Sequence, residues 1–129
     1  LSFFKNPYDE RGWIVDKIDY PFVNDPQVLG RWQSVDFVRT MEEFDPAAPK
    51  WKGDLYLKEL VFLANVKMPR NGMTWTDGLV LLRGANTASK YIIRDIGGAK
   101  YMFFEWKSGD YIFAHRKPEY YVLKKAEAN

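Results

Sequence analysis

The chain has no cysteine and a single histidine among its 129 residues. Disulfides, thiolate nucleophiles and thiolate metal sites are therefore excluded, and too few nitrogen and sulfur donors remain for a zinc centre. No apolar run approaches the ~18 residues of a membrane helix, so no membrane insertion is expected. Neither sign of charge dominates: 19 Lys and Arg stand against 17 Asp and Glu. The basic residues, Lys50, Lys90, Arg94, Arg116 and Lys117 among them, are interspersed with acidic ones. That is the pattern of a solvated surface rather than a nucleic-acid stripe, so nucleic acid is not an expected partner. No Gly-rich phosphate loop occurs, and no serine sits in a nucleophile elbow. Asp9, Glu10, Asp16, Asp19 and Asp25 lack calcium-loop spacing. No metal, cofactor or catalytic residue is expected. The chain opens on Leu1 rather than Met, which reads as a processed protein or an excised piece. A missing signal peptide therefore leaves its location open.

Aromatic residues are abundant: 9 Phe, 8 Tyr and 5 Trp. They favour strands and fill cores. A chain of this length reads as one domain and buries about two-thirds of its unfolded surface, enough to fold without staples. Residues 1–23 read as a leader or linker packing on the domain, with 13–19 able to supply a strand. Asn24-Asp25-Pro26 predicts a helical turn over 26–29. Strand 31–39 comes after Gly30. Thr40 and Glu43 are spaced as a capping box, so a short helix is expected at 41–44 within a long loop, 40–53. From Asp54 onward, apolar runs at 55–64, 73–82, 88–96, 100–106, 110–115 and 119–125 alternate with turn residues. This rhythm predicts an all-β domain over 24–129: an antiparallel up-and-down barrel of seven or eight strands, or failing that an open β-sandwich.

A two-residue turn at Gly97-Gly98 fixes a register. It sets Ile96 opposite Ala99, and Tyr91 with Phe104, Ile93 with Met102 and Ser89 with Trp106 then make one nearly all-apolar face. The other face pairs Lys90 with Glu105 in an expected ion pair. Carrying that register through turns at Ser108-Gly109 and Lys117-Pro118 gives an inner wall of Tyr91, Ile93, Met102, Phe104, Trp106, Tyr111, Phe113, His115, Tyr120 and Val122. A bulge in any strand would flip part of this wall.

Gly30-Arg31-Trp32, placed behind a helical turn and ahead of the meander, resembles the opening signature of the lipocalin-like (calycin) β-barrels. In that family a long loop after the first strand covers the barrel mouth, and a basic residue near the end of the last strand often packs over the first Trp. Loop 40–53 and Lys124-Lys125 stand at the matching places. Trp75-Thr76-Asp77-Gly78-Leu79 and the stretch from Tyr101 to Tyr111 look like segments of uncharacterised lipocalin-like domains in bacteria, some joined to sensor or regulatory proteins. The resemblance implies a barrel with an interior and brings no activity with it.

The function expected is a non-enzymatic binding or sensory module, holding a small apolar or aromatic ligand inside the barrel beneath loop 40–53. Tyr91, Phe104, Trp106, Phe113, His115 and Tyr120 are the candidate ligand-binding residues. The alternative is a structural or protein-interaction domain of a larger regulatory protein, with the same aromatic wall as packed core. Its partner would then be a protein or a neighbouring domain. A hydrolase would need His115 as base, or Glu59 and Glu105 as paired carboxylates. Glu59 lies in the apolar row of Leu55, Leu57, Val61 and Leu63, where a carboxylate belongs at a rim, beside a base or on a ligand.

Overall fold

The computed structural model describes residues 16–64, 66, 68, 73–84, 86–107, 111 and 116–126. Seven strands, β1 (Gly30–Val38), β2 (Glu59–Phe62), β3 (Met73–Thr76), β4 (Leu79–Leu82), β5 (Thr87–Ile96), β6 (Ala99–Trp106) and β7 (Glu119–Lys125), form one antiparallel sheet. Its order is β2-β1-β7-β6-β5-β4-β3. The sheet curls into a nearly closed barrel. Backbone pairing stops at β2 and β3, and Trp75 spans that seam. Its indole donates to the Leu63 carbonyl at 2.8 Å and its backbone N–H to the Val66 carbonyl at 3.3 Å.

The β5–β6 hairpin has the expected register, with Ile96 opposite Ala99 and Tyr91 opposite Phe104. Gly97 and Gly98 both take positive φ, 59° and 85°, as a two-residue turn between twisted strands requires. The run 73–82, read from sequence as one strand, is a hairpin: Asp77-Gly78 turns the chain and pairs Thr76 with Leu79. β6 and β7 pair directly, with Trp106 opposite Glu119, where a strand over 110–115 was expected between them. Of that run only Tyr111 is among the described residues. Of the segment 13–19, residues 16–19 are not a strand, and 13–15 also fall outside the described residues.

Direct pairing changes which face β7 turns inward. Tyr121 and Leu123 share the interior with Tyr91, Met102 and Phe104, to which every strand contributes. Tyr120 and Val122, expected inside, pack instead in an outer cluster with Val38, Tyr101 and Phe103. The relay of turns through 108–118 misplaced them by one residue, and with a period of two that exchanges the faces. Met41 and Phe44 cover the outer cluster, and the Phe44 ring lies 5.0 Å from that of Tyr101. The first part of loop 40–53 thus lies on the outer face of the sheet. Met41–Glu43 is a 3₁₀ turn without a Thr40 side-chain cap; Glu43 accepts the Arg39 N–H instead.

One end of the barrel is plugged. Residues 26–28 form a turn in which the Val28 N–H reaches the Asp25 carbonyl. Gly30 opens β1 at φ +115°, a conformation that side chains disfavour. Trp32 is fully buried, and its indole N–H donates to the Val28 carbonyl at 2.8 Å. The Lys125 ammonium stands 5.4 Å from the centre of its ring and donates to the Gln27 carbonyl. A cation over a desolvated indole is an attractive contact, so the first and last strands of the chain are joined here by side chains as well as by backbone pairing.

A bulge between Ser34 and Asp36 inserts one residue into β1. Phe37 then pairs with inward Tyr121, and Asp36 with outward Val122. Asp36 is fully buried. Its carboxylate accepts the N–H groups of Phe37, Lys50 and Trp51 at 2.8–3.0 Å. A buried carboxylate without such donors would be costly.

These contacts set two stability expectations. Trp32→Ala lowers unfolding free energy by about 3–5 kcal/mol in urea titration, the cost of emptying a large aromatic site. Asp36→Asn loses about 1–3 kcal/mol by the same measurement, because the amide NH2 replaces Oδ2, which accepts the Lys50 N–H at 2.9 Å, and sets donor against donor in a buried site.

Candidate functional site

The described residues leave the end of the barrel opposite Trp32 open. There a cavity of about 310 Å³ is lined by Phe37, Trp106, Tyr111, Arg116, Lys117, Pro118 and Glu119. The bulge supplies Phe37, β6 ends on Trp106, and β7 begins at Glu119. Tyr121 stands behind the two large rings. It meets Phe37 edge-to-face at 4.8 Å and Trp106 at 5.1 Å, while its hydroxyl accepts the Leu57 N–H at 3.2 Å. Outside, Trp51 packs against Phe37 at 5.8 Å and Tyr56 against Trp106 at the same distance. Both cavity rings are therefore held from more than one side, which limits their rearrangement around a ligand.

Tyr111 is fixed by Asp16, a carboxylate from the segment ahead of β1. Its hydroxyl donates to Asp16 Oδ1 at 2.7 Å. Lys107 Nζ lies 2.8 Å from Asp16 Oδ2, and that oxygen also accepts the Ala88 N–H. Lys107 donates further to the Ala88 carbonyl, and it stands 3.8 Å from Glu105. These groups are largely buried, with side-chain exposures of 12% for Lys107, 15% for Glu105 and 17% for Asp16. At such burial an ion pair depends on complete hydrogen bonding. Residues 22–25, ahead of β1, are tied along the barrel as well. Val23 exchanges bonds with Thr76 and Asp77, Phe22 packs on Trp75, and Asp25 accepts the Tyr91 hydroxyl at 2.8 Å.

The structure separates the six residues expected to bind a ligand. Trp106 lines the cavity. Tyr91 and Phe104 are buried in the interior core below it. Tyr120 belongs to the outer cluster. Phe113 and His115 lie outside the described residues. Tyr111, read only as an inner-wall residue, lines the cavity; Phe37, Arg116, Lys117, Pro118 and Glu119 were missed. Phe37 gives no sequence signal because the bulge alone turns it inward. Arg116 and Lys117 were read as scattered surface charge, although their place beside a strand-breaking Pro118 at the mouth of a strand was a usable cue. Asp16 carried a cue too, a carboxylate between apolar Val15 and Ile18.

The carboxylates considered for hydrolysis are engaged elsewhere. Glu59 pairs with Arg31 at 2.7 Å on the outer surface, because the chain changes face between buried Leu57 and β2. Glu105 accepts the backbone N–H of Lys90 at 2.8 Å, where an ion pair with its side chain was expected. Among the described residues no three His, Cys, Asp or Glu side chains converge as a metal site, and no helix is long and apolar enough to cross a membrane.

Burial pushes the Tyr111 hydroxyl above the ordinary tyrosine range, and Asp16 pushes it the same way. Tyr91 is raised by burial and by Asp25. A raised folded-state pKa gives stability that is present below the unfolded value, about 10, and is lost as pH climbs beyond it. Urea midpoints should therefore fall above pH ~10. In Tyr91→Phe/Tyr111→Phe the plateau is lower and the alkaline fall shallower; an unchanged fall would show that other groups cause it. No family model, curated protein or solved structure matches this chain.

Proposed function

We propose that the chain is a non-enzymatic binding module of lipocalin-like type that holds a small aromatic ligand at the mouth of its barrel. The observation that carries this reading is the cavity itself, where Phe37, Trp106 and Tyr111 meet at the open end of the barrel. Its volume lies at the small end of the ~300–1,000 Å³ range of ligand sites and suits one or two rings. The interior below is occupied by Phe62, Trp75, Tyr91, Met102 and Phe104, so the ligand sits above these side chains rather than among them. The lipocalin-like assignment is supported by the turn-Gly-x-Trp plug with Lys125 over the Trp32 ring.

The test uses N-phenyl-1-naphthylamine, a neutral arene that brightens on leaving water. Trp106→Leu weakens its binding about tenfold, a change of about 1.4 kcal/mol. Phe62→Leu, in the core against Trp75 and Tyr91 and away from the cavity wall, lowers the unfolding midpoint and leaves probe affinity unchanged. Absence of saturable binding, or equal loss in both variants, would show a packed domain without a site.

A further inference from the structure

We infer that the ligand of this cavity is a planar aromatic anion, its acidic group held by Arg116 and Lys117. The inference rests on the cavity reading above and adds the charge of the ligand.

The walls divide by chemistry. Phe37, Trp106 and Tyr111 offer aromatic surface, and Arg116 and Lys117 offer cationic heads. The ionic groups near the site are not equally available. Asp16 already accepts from Tyr111, Lys107 and the Ala88 N–H. Lys107 is shared among Asp16, the Ala88 carbonyl and Glu105. Tyr111 spends its hydroxyl proton on Asp16, and the Lys107 ammonium stands 4.8 Å from its ring centre. Arg116 and Lys117 are exposed and make no ion pair among the described residues. Among the described residues Glu119 is the one carboxylate on the cavity wall, so two cations face one anion there.

Free cations beside desolvating rings set a selection rule. A neutral arene gains only the aromatic contacts. A cationic arene meets two like charges. An aromatic carboxylate gains the same contacts and a charge-assisted hydrogen bond, for which the flat guanidinium of Arg116 is the better partner. Pro118 fixes the backbone φ directly after this pair, which restrains where the pair is presented. Glu119 opposes the anion and tempers its affinity.

The experiment compares 2-naphthoate with its neutral isostere 2-naphthamide by tryptophan quenching on the intact chain. Naphthoate should bind about tenfold tighter at low salt, with the advantage shrinking as salt is added. Arg116→Gln/Lys117→Gln should abolish that advantage and leave naphthamide unchanged; both positions are exposed, so folding is preserved. Glu119→Gln should tighten naphthoate alone. Equal binding of the two probes to the unaltered protein would overturn the anion assignment and leave the cavity reading standing. Equal weakening of both probes in the double variant would also overturn it, because the two residues would then only shape the wall. Failure of naphthamide and naphthoate alike to bind would bring down both readings.

Discussion

A carboxylate with no exposed surface sits where β1 bulges, and the open end of the barrel is organised around it. The extra residue between Ser34 and Asp36 gives β1 two parities. Before it, Trp32 faces inward and plugs one end; after it, Phe37 faces inward and lines the other. A bulge breaks ladder hydrogen bonds and needs compensation. Asp36 provides it by accepting from Phe37 beside it and from Lys50 and Trp51 across the loop. The same bonds draw Trp51 to the back of Phe37. Loop return, bulge and cavity wall are therefore a single arrangement, and a change at Asp36 reaches all of them.

Asp16 solves a similar problem on the other side of the mouth. It takes a backbone N–H from β5, a side chain at the end of β6 and a hydroxyl from the β6–β7 connection. Segments outside the sheet are in this way joined to it by carboxylates that each accept from three donors. Such bonds are directional, and apolar packing is not. The plugged end combines both kinds of contact: Trp32 and Val28 bury area there, while the indole N–H is held on the Val28 carbonyl and Lys125 on the Gln27 carbonyl.

The fold was legible in the sequence wherever a turn fixed a register. Gly97-Gly98 set β5 against β6 to the residue, and Gly30-x-Trp32 located the plugged end. Asp77-Gly78 is an equally strong turn signal, yet the apolar residues on both sides of it, Met73 to Leu82, read as one strand. That omission, and the direct pairing of β6 with β7 where a strand over 110–115 was expected, shift the order of the strands. The site was less legible, because it depends on parity at two places where local pattern is silent. One is the bulge that turns Phe37 inward. The other is the direct pairing of β6 with β7, which turns Tyr121 inward and Tyr120 outward. A rule of strict alternation fails at both.

The abundance of aromatic residues has two physical meanings here, and burial separates them. Rings in the interior, such as Phe62, Trp75 and Phe104, touch neighbours on every side and contribute stability. Rings at the mouth are braced from behind by Tyr121 and remain only partly covered. Filling the mouth with further apolar side chains would raise stability by burying Phe37 and Trp106, and it would remove the cavity. Partly covered apolar rings held in place are a costly surface in water, whereas Arg116 and Lys117 beside them are exposed and hydrated. Covering those rings recovers that cost, reversibly if the proposed ligand does it and permanently if a packed lid of the protein's own residues does.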